Sequence, residues 1–248
     1  MKKREYSPRL GSQLRNPDQR GEARAVTASD QAKGTRDERF SYVCNRCRRC
    51  CHRKFIRLNP YEIARLARNQ GQTTSAFQTA STTTVENVGV VLRQREDDAS
   101  CVFLGPEGCT VHSDRPLACR LYPLGRQVSE DGIETWTHTE PHPQSEGEYG
   151  AKGVIADFIT GQDTALYIQA TDEYAGWVRR AVHLLSKTIQ VDHNIPPEEL
   201  AVLTDPDTAI AAHCNRAGEL EPIDTEERKR LHLAILHGQL DAYGEEKP

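Results

Sequence analysis

Four thiols fall within eight residues, Cys44-x2-Cys47-x2-Cys50-Cys51, and three more follow at Cys101, Cys109 and Cys119. Cysteines this dense hold metal: a sulfur-only donor set suits Zn²⁺ or builds an iron–sulfur cluster. A two-residue gap lets a turn present successive sulfurs to one ion, and C-x2-C-x2-C opens the ligand run of bacterial ferredoxins. There the fourth partner stands further along, before a proline; here Cys51 follows at once. Adjacent residues point in different directions, so one of Cys50 and Cys51 serves a second ion, bridges, or lies idle. The seven cysteines with His112 or His142 would suffice for two four-ligand sites. A zinc ribbon wants a second C-x2-C, and a thioredoxin-like C-x2-C wants a βαβ surround; neither is present. The ferredoxin-like opening favours iron–sulfur over zinc, whereas oxygen-tolerant structural use would favour zinc.

Arg46, Arg48, Arg49, Arg53, Lys54 and Arg57 surround the first cluster. Cations there stabilise deprotonated sulfurs, a better use of them than phosphate binding. His52 and His112 adjoin cysteines and are candidate ligands or hydrogen-bond donors to ligands. His138 and His142 lie in a loop that can fold back on the site. A single histidine of this kind is more often a surface residue. Cys214 stands alone on a helical stretch and reads as a small buried apolar residue.

These thiols need elements to bring them together. Asn59-Pro60-Tyr61-Glu62 is a helix start, with a capping Asn, Pro in the first turn and Glu reaching back. Ile63, Leu66 and Ala67 give its apolar stripe, and Gly71 its stop. A short helix begins near Thr74 or Ser75. Val88, Val90 and Leu92 alternate as a strand. Cys101–Leu104 and Cys109–His112 form a hairpin about Gly105–Gly108, which would set Leu104 against Cys109 and Cys101 against His112. A regular hairpin then puts Cys101 and Cys109 on opposite faces, so either it is irregular or they serve different sites. A short helix follows at Ser113–Arg120, then a second hairpin about Ser129–Gly132. From Tyr149 the period is helical, with a longer helix carrying Tyr174, Trp177, Val178, Ala181, Leu184 and Leu185. Asp205-Pro206 and Thr225 start later helices.

The fold class expected is α+β: a small metal-stapled cysteine-cluster domain of short helices and β-hairpins, followed by a helical C-terminal region. Residues 1–38 read as a disordered basic tail, 39–145 as the metal-binding domain, 146–192 as a helical extension packed on it, and 193–248 as a C-terminal helical appendage. The formal net charge of −4 supplies no bulk attraction to nucleic acid. No run approaches a membrane helix and no secretory signal opens the chain, so the expected compartment is the reducing cytoplasm, where clustered cysteines are ligands rather than disulfides.

The ordered combination of the CxxCxxCC run, the helix opened by Asn59-Pro60-Tyr61-Glu62-Ile63, Cys101-Val102-Phe103-Leu104, and Cys109-Thr110-Val111-His112-x2-Arg115-Pro116-x2-Cys119-Arg120-x-Tyr122-Pro123 resembles the YkgJ-type CxxCxxCC family of zinc- or iron-chelating proteins over residues 40 to 128. The resemblance implies that Cys44, Cys47, Cys50, Cys51, Cys101, Cys109 and Cys119 are the chelating set. Arg115, Arg120 and Tyr122 belong to the shared motif as supporting residues, with Arg115 and Arg120 either pinning the loop around Cys119 electrostatically or contacting a substrate, the structural role being the favoured one. In many relatives another cysteine follows the Arg-x-Tyr-Pro segment; here His138 and His142 stand in that region.

Three functions compete. The first is a metal-binding protein held together by zinc or an iron–sulfur cluster. The second is an enzyme, either a redox protein or an S-adenosylmethionine-dependent methyltransferase like the flagellin lysine N-methylases, which resemble the same cluster. Its nearest glycine loop is Gly147-x2-Gly150-x2-Gly153, and the radical-type C-x3-C-x2-C spacing is absent. The third is an interaction module whose metal staples a surface for a protein or RNA partner, resting on the arginine-rich segment.

Overall fold

The computed structural model describes residues 34–85, 88–139, 142, 144–188 and 205–245. These belong to the unit Lys33–Pro248. Eight strands form four antiparallel two-stranded pairs, and seven helices lie among and after them, an α+β arrangement with a helical C-terminal region among the described residues. The stretch expected as a basic tail falls mostly outside the described residues. Its last part is ordered: Gly34 exchanges backbone hydrogen bonds with Trp136 at 2.8 and 3.0 Å, and Arg36 pairs with Glu134. The ordered chain therefore reaches back before residue 38.

Strand β1 (Arg39–Val43) pairs with β8 (Glu148–Val154), leading into and out of the cysteine region. This corrects the helical reading from Tyr149 onward. Residues 148–154 carry little apolar periodicity, and β1 supplies a hydrogen-bonding partner that local sequence does not reveal. Glycine permits the close approach: a Cβ at Gly147 would lie 2.0 Å from the Tyr42 hydroxyl, and one at Gly150 2.7 Å from Ser41 Oγ. The glycine run is thus a strand with its approach, not a loop between a strand and a helix.

Helix α1 (Pro60–Asn69) forms as its sequence dictates. Asn59 Oδ1 accepts the Glu62 N–H at 3.0 Å while Glu62 accepts the Asn59 N–H at 2.9 Å. Helix α2 (Thr74–Ser81) leads into β2 (Thr82–Val85), paired with β3 (Gly89–Leu92). The pair β4 (Leu104–Gly105) and β5 (Gly108–Cys109) precedes α3 (Leu117–Leu121), and β6 (Leu124–Val128) pairs with β7 (Glu134–His138). Then come α4 (Ile155–Gly161), α5 (Ala165–Thr188), α6 (Pro206–Ala217) and α7 (Thr225–Glu245).

Two cores flank α1. Tyr61 faces the larger, with Leu117, Leu121, Trp136, Ile155, Tyr167 and Tyr174. Ile63, Leu66 and Ala67 face the smaller, with Phe77, Leu92, Phe103 and Val111, and Cys101 and Cys109 pack against it. The C-terminal helices are built into this body. Leu233 and Leu236 of α7 lie in the larger core, the Tyr61 hydroxyl bonds Glu226, and α6 docks on α2 through Asp205 and Asp207. Cys214 is 2 % exposed within α6, as expected of a small apolar residue.

Glu134 ties the N-terminal segment to the larger core. It accepts from Arg36 Nε at 2.5 Å, Arg126 Nε at 2.5 Å and Trp136 Nε1 at 3.1 Å. The Arg36 and Arg126 guanidiniums hold its carboxyl down at about 2. A depressed folded-state value contributes stability that is present above the unfolded value near 4.5 and is lost as pH falls towards 2. We expect Glu134→Gln to cost about 2–3 kcal/mol at neutral pH, and the deficit in urea unfolding to shrink as the pH is lowered through that window.

Candidate metal centre

The seven thiols are delivered by three stretches of chain. The first leaves β1 and turns sharply. Arg46 and Arg48 are left-handed, with φ of 53° and 66°, around Cys47, and a single 3₁₀ turn spans Arg49–Cys51. Such φ values cost a non-glycine residue free energy, and here they let the backbone reverse twice within the run. The second stretch lies beside it. The Cys101 N–H donates to the Cys51 carbonyl at 2.8 Å, and the Arg53 N–H to the Ala99 carbonyl at 2.9 Å, so residues 51–53 and 99–101 form a short antiparallel seam that sets Cys101 beside Cys51. The third is α3, whose middle residue is Cys119.

The hairpin is irregular. Leu104 does pair with Cys109, but the Leu104 N–H folds back onto the Cys101 carbonyl at 2.9 Å. Cys101 therefore leaves the ladder before it can face His112, and His112 enters a 3₁₀ turn spanning His112–Asp114. Cys101 and Cys109 stay within each other's electrostatic reach instead of being divided between two faces.

An inner group of five thiols results. Cys51 feels Cys50, Cys101 and Cys119; Cys119 feels Cys50, Cys101 and Cys109. Burial pushes the Cys101, Cys109 and Cys119 thiols up, and neighbouring thiols push the same way. The neighbouring Cys51 thiol, with help from Lys54, brings Cys50 down to about 7, while Cys50 and burial push the Cys51 thiol up. Several desolvated thiols cannot ionise together unless a cation joins them, and a bound metal is the cation that does so. The donor chemistry therefore fits a thiophilic metal or cluster. Among the described residues no three ligand groups already form a coordination shell; Cys50, Cys51, Cys101, Cys109 and Cys119 are the residues that would hold such a group.

Cys44 and Cys47 lie at the outer edge. Cys44 is exposed and Cys47 half-buried. Tyr42 and Tyr122, with ring centroids 6.1 Å apart, lie within electrostatic reach of Cys44 and Cys50. The loop after β7 closes over Cys47, whose Sγ accepts the Glu146 N–H at 3.5 Å. Asn45 clasps the same loop, donating to the Glu146 carbonyl at 2.7 Å and to Glu148 Oε1 at 3.1 Å. Sequence reasoning passed over Asn45; only its place between Cys44 and Cys47 pointed to it.

The structure engages the histidine rings with other partners. His52 Nδ1 lies 3.2 Å from the Arg48 carbonyl, and its Nε2 is 4.0 Å from Asp98. His112 Nδ1 faces Arg115 Nη1 at 3.2 Å. His142 Nδ1 accepts the Gln144 N–H at 3.1 Å, and the His142 backbone N–H donates to the Tyr122 hydroxyl at 3.4 Å. His138 Nε2 pairs with Glu38 at 2.9 Å. Arg120 braces the α3 end by donating to the carbonyls of Arg115, Ser113 and Gln162.

Residues 43–141 match the model of the family CxxCxxCC, described as "Putative zinc- or iron-chelating domain". Over this segment the chain resembles that family. No curated protein and no solved structure matches the chain. The matched segment spans all seven clustered cysteines, β2 to β7 and α1 to α3, while β1, β8 and the later helices lie wholly or almost wholly outside it. The family description supports metal binding through the cysteine cluster, with zinc and iron both open.

Proposed function

We propose that the chain is a metal-binding protein whose cysteine cluster holds an iron–sulfur cluster or zinc as part of its folded structure. The observation that supports this reading is that the backbone holds Cys101 beside Cys51, through the Cys101 N–H to Cys51 carbonyl bond at 2.8 Å, with Cys50, Cys109 and Cys119 within electrostatic reach of this pair or of one another. Cys44 and Cys47, beside Cys50, complete the donor set. The sulfur-only chemistry of the inner group, and histidine rings turned to other partners, favour iron–sulfur within this reading. Its setting is a reducing, cytoplasmic one, since the seven clustered thiols serve as ligands only where they stay reduced. Among the described residues no helix is long and apolar enough to cross a membrane.

Anaerobic purification followed by visible absorption and iron, sulfide and zinc analysis tests this directly. A brown protein with iron and sulfide supports the iron–sulfur form. A colourless protein with zinc supports metal binding and reverses the preference. A folded chain that retains neither overturns the reading.

A further inference from the structure

Buried cations in proteins are paired with anions, because an isolated buried charge is costly. This protein follows the rule at most positions. Arg65 pairs with Asp114, Arg126 with Glu134 and Asp172, Arg228 with Asp207 and Glu221, and Lys229 with Glu173 and Glu226. Buried Arg120 and half-buried Arg115 depart from it: among the described residues, neither has a carboxylate within ion-pair distance. Arg120 is 4 % exposed. Its guanidinium is spent on neutral acceptors, the Arg115 and Gln162 carbonyls at 2.9 Å, the Ser113 carbonyl and the Tyr167 hydroxyl at 3.0 Å. Arg115 donates to the His112 carbonyl at 2.8 Å, His112 Nδ1 at 3.2 Å and Gln162 Oε1 at 2.7 Å. The bonds are satisfied and the charges are not. Glu62 senses Arg120, yet its two oxygens are committed to backbone N–H groups, and it offers at most one charge against two.

Arg115 lies within electrostatic reach of the thiols of Cys119, Cys109 and Cys44, which become anionic only on binding metal. The two arginines also bracket Cys119, Arg115 just before α3 and Arg120 within it. We propose that Arg115 and Arg120 are the built-in counter-charge of a net-anionic, all-thiolate metal centre. The proposal rests on the metal-binding reading above. Four thiolates around a divalent ion, or around a cluster core of charge +2, carry a net charge of −2, which two guanidiniums balance. His112, which turns Nδ1 to Arg115, belongs on this account to the counter-charge layer and not to the ligands. Arg115 is a positioning residue for charge, and its hydrogen bonds alone would give a different pattern of variants.

The test uses the full chain, reduced and stripped of metal, titrated with Co²⁺ as the spectroscopic probe and followed by its thiolate charge-transfer band. Arg115→Gln is expected to weaken cobalt affinity about tenfold, while Arg115→Lys, which keeps the charge and loses the two-armed fork, stays within about threefold of wild type. Equal weakening by Gln and Lys, or no weakening by Gln, overturns the proposal. A second readout needs no variant. With internal counter-charges, wild-type cobalt affinity changes less than about threefold between about 50 and 500 mM salt; a change above about tenfold overturns the proposal. A wild-type chain that takes up no cobalt overturns both this inference and the reading beneath it, whereas a chain that loads but ignores residue 115 overturns this inference alone.

Discussion

Chelating the metal from the reduced, loaded protein is expected to melt the region between β1 and α3 and to lower the thermal midpoint by more than roughly 10 °C. The regular structure nearest the thiols is slight. β4 and β5 contribute two residues each, the run from Cys44 to Cys51 holds a single 3₁₀ turn, and the seam to residues 99–101 is short. Two left-handed arginines add backbone cost there. Structural zinc in comparable cysteine sites supplies about 10 kcal/mol or more of folding free energy, and in a chain of this size each kcal/mol moves the midpoint by about 2–4 °C. Part of that sum is replaced by the smaller core around Phe77 and Leu66, so the shift falls short of the full figure. Circular dichroism with and without chelator, alongside Cys119→Ser, measures it. Superimposable melting curves would sink the structural role of the metal. The helices α5 and α7 share the larger core and should keep their far-ultraviolet signal after chelation.

The second large effect belongs to Glu62. This residue is 3 % exposed and closes two helix starts at once, accepting the Asn59 N–H at 2.9 Å and the Leu117 N–H at 2.7 Å. Glu62→Ala leaves both donors buried without acceptors and should cost about 3–5 kcal/mol, the Leu117 bond being the one that seats α3 and Cys119. Burial raises the Glu62 carboxyl from 4.5 to about 7, against the pull of its two N–H partners and Arg120. The sign follows from linkage. With the folded-state value raised, the stability contribution is complete below about 4.5 and is lost as pH rises through 7, on the order of 3 kcal/mol across the window. Wild type and Glu62→Gln should therefore differ in urea midpoint by an amount that changes between pH 5 and pH 8. Comparing the two at each pH cancels the metal's own pH dependence. A pH-independent difference would place the proton elsewhere.

Much of the positioning scaffold is legible residue by residue. Asn59, Pro60 and Glu62 announce α1 because capping chemistry is local, and the same holds for Asp205-Pro206 at α6 and for the turn at Ser129–Gly132 between β6 and β7. The cysteine spacing points to the chemistry because one turn can aim several sulfurs inward. What escaped the sequence is long-range. β8 shows no strand pattern of its own and exists because β1 pairs with it across more than a hundred residues. The inner group of thiols depends on a carbonyl–amide contact between Cys51 and Cys101 and on one turn that takes Cys101 out of its hairpin. Neither leaves a periodic trace. The histidines adjoin the cysteines in sequence, but the partners their rings take, the Arg48 carbonyl and Asp98 for His52 and Arg115 for His112, are set by the fold and leave no local trace.

The seam joining residues 51–53 to 99–101 bears on biosynthesis. Cys44 to Cys51 leave the ribosome well before Cys101, and Cys119 later still, so the early thiols are born without their companions. If the proposed centre needs the later thiols, metal capture would wait for them, leaving an interval in which the early sulfurs are open to oxidants and to the wrong ion. Arrested translation products ending before residue 100 should bind cobalt far more weakly than those extending past residue 123.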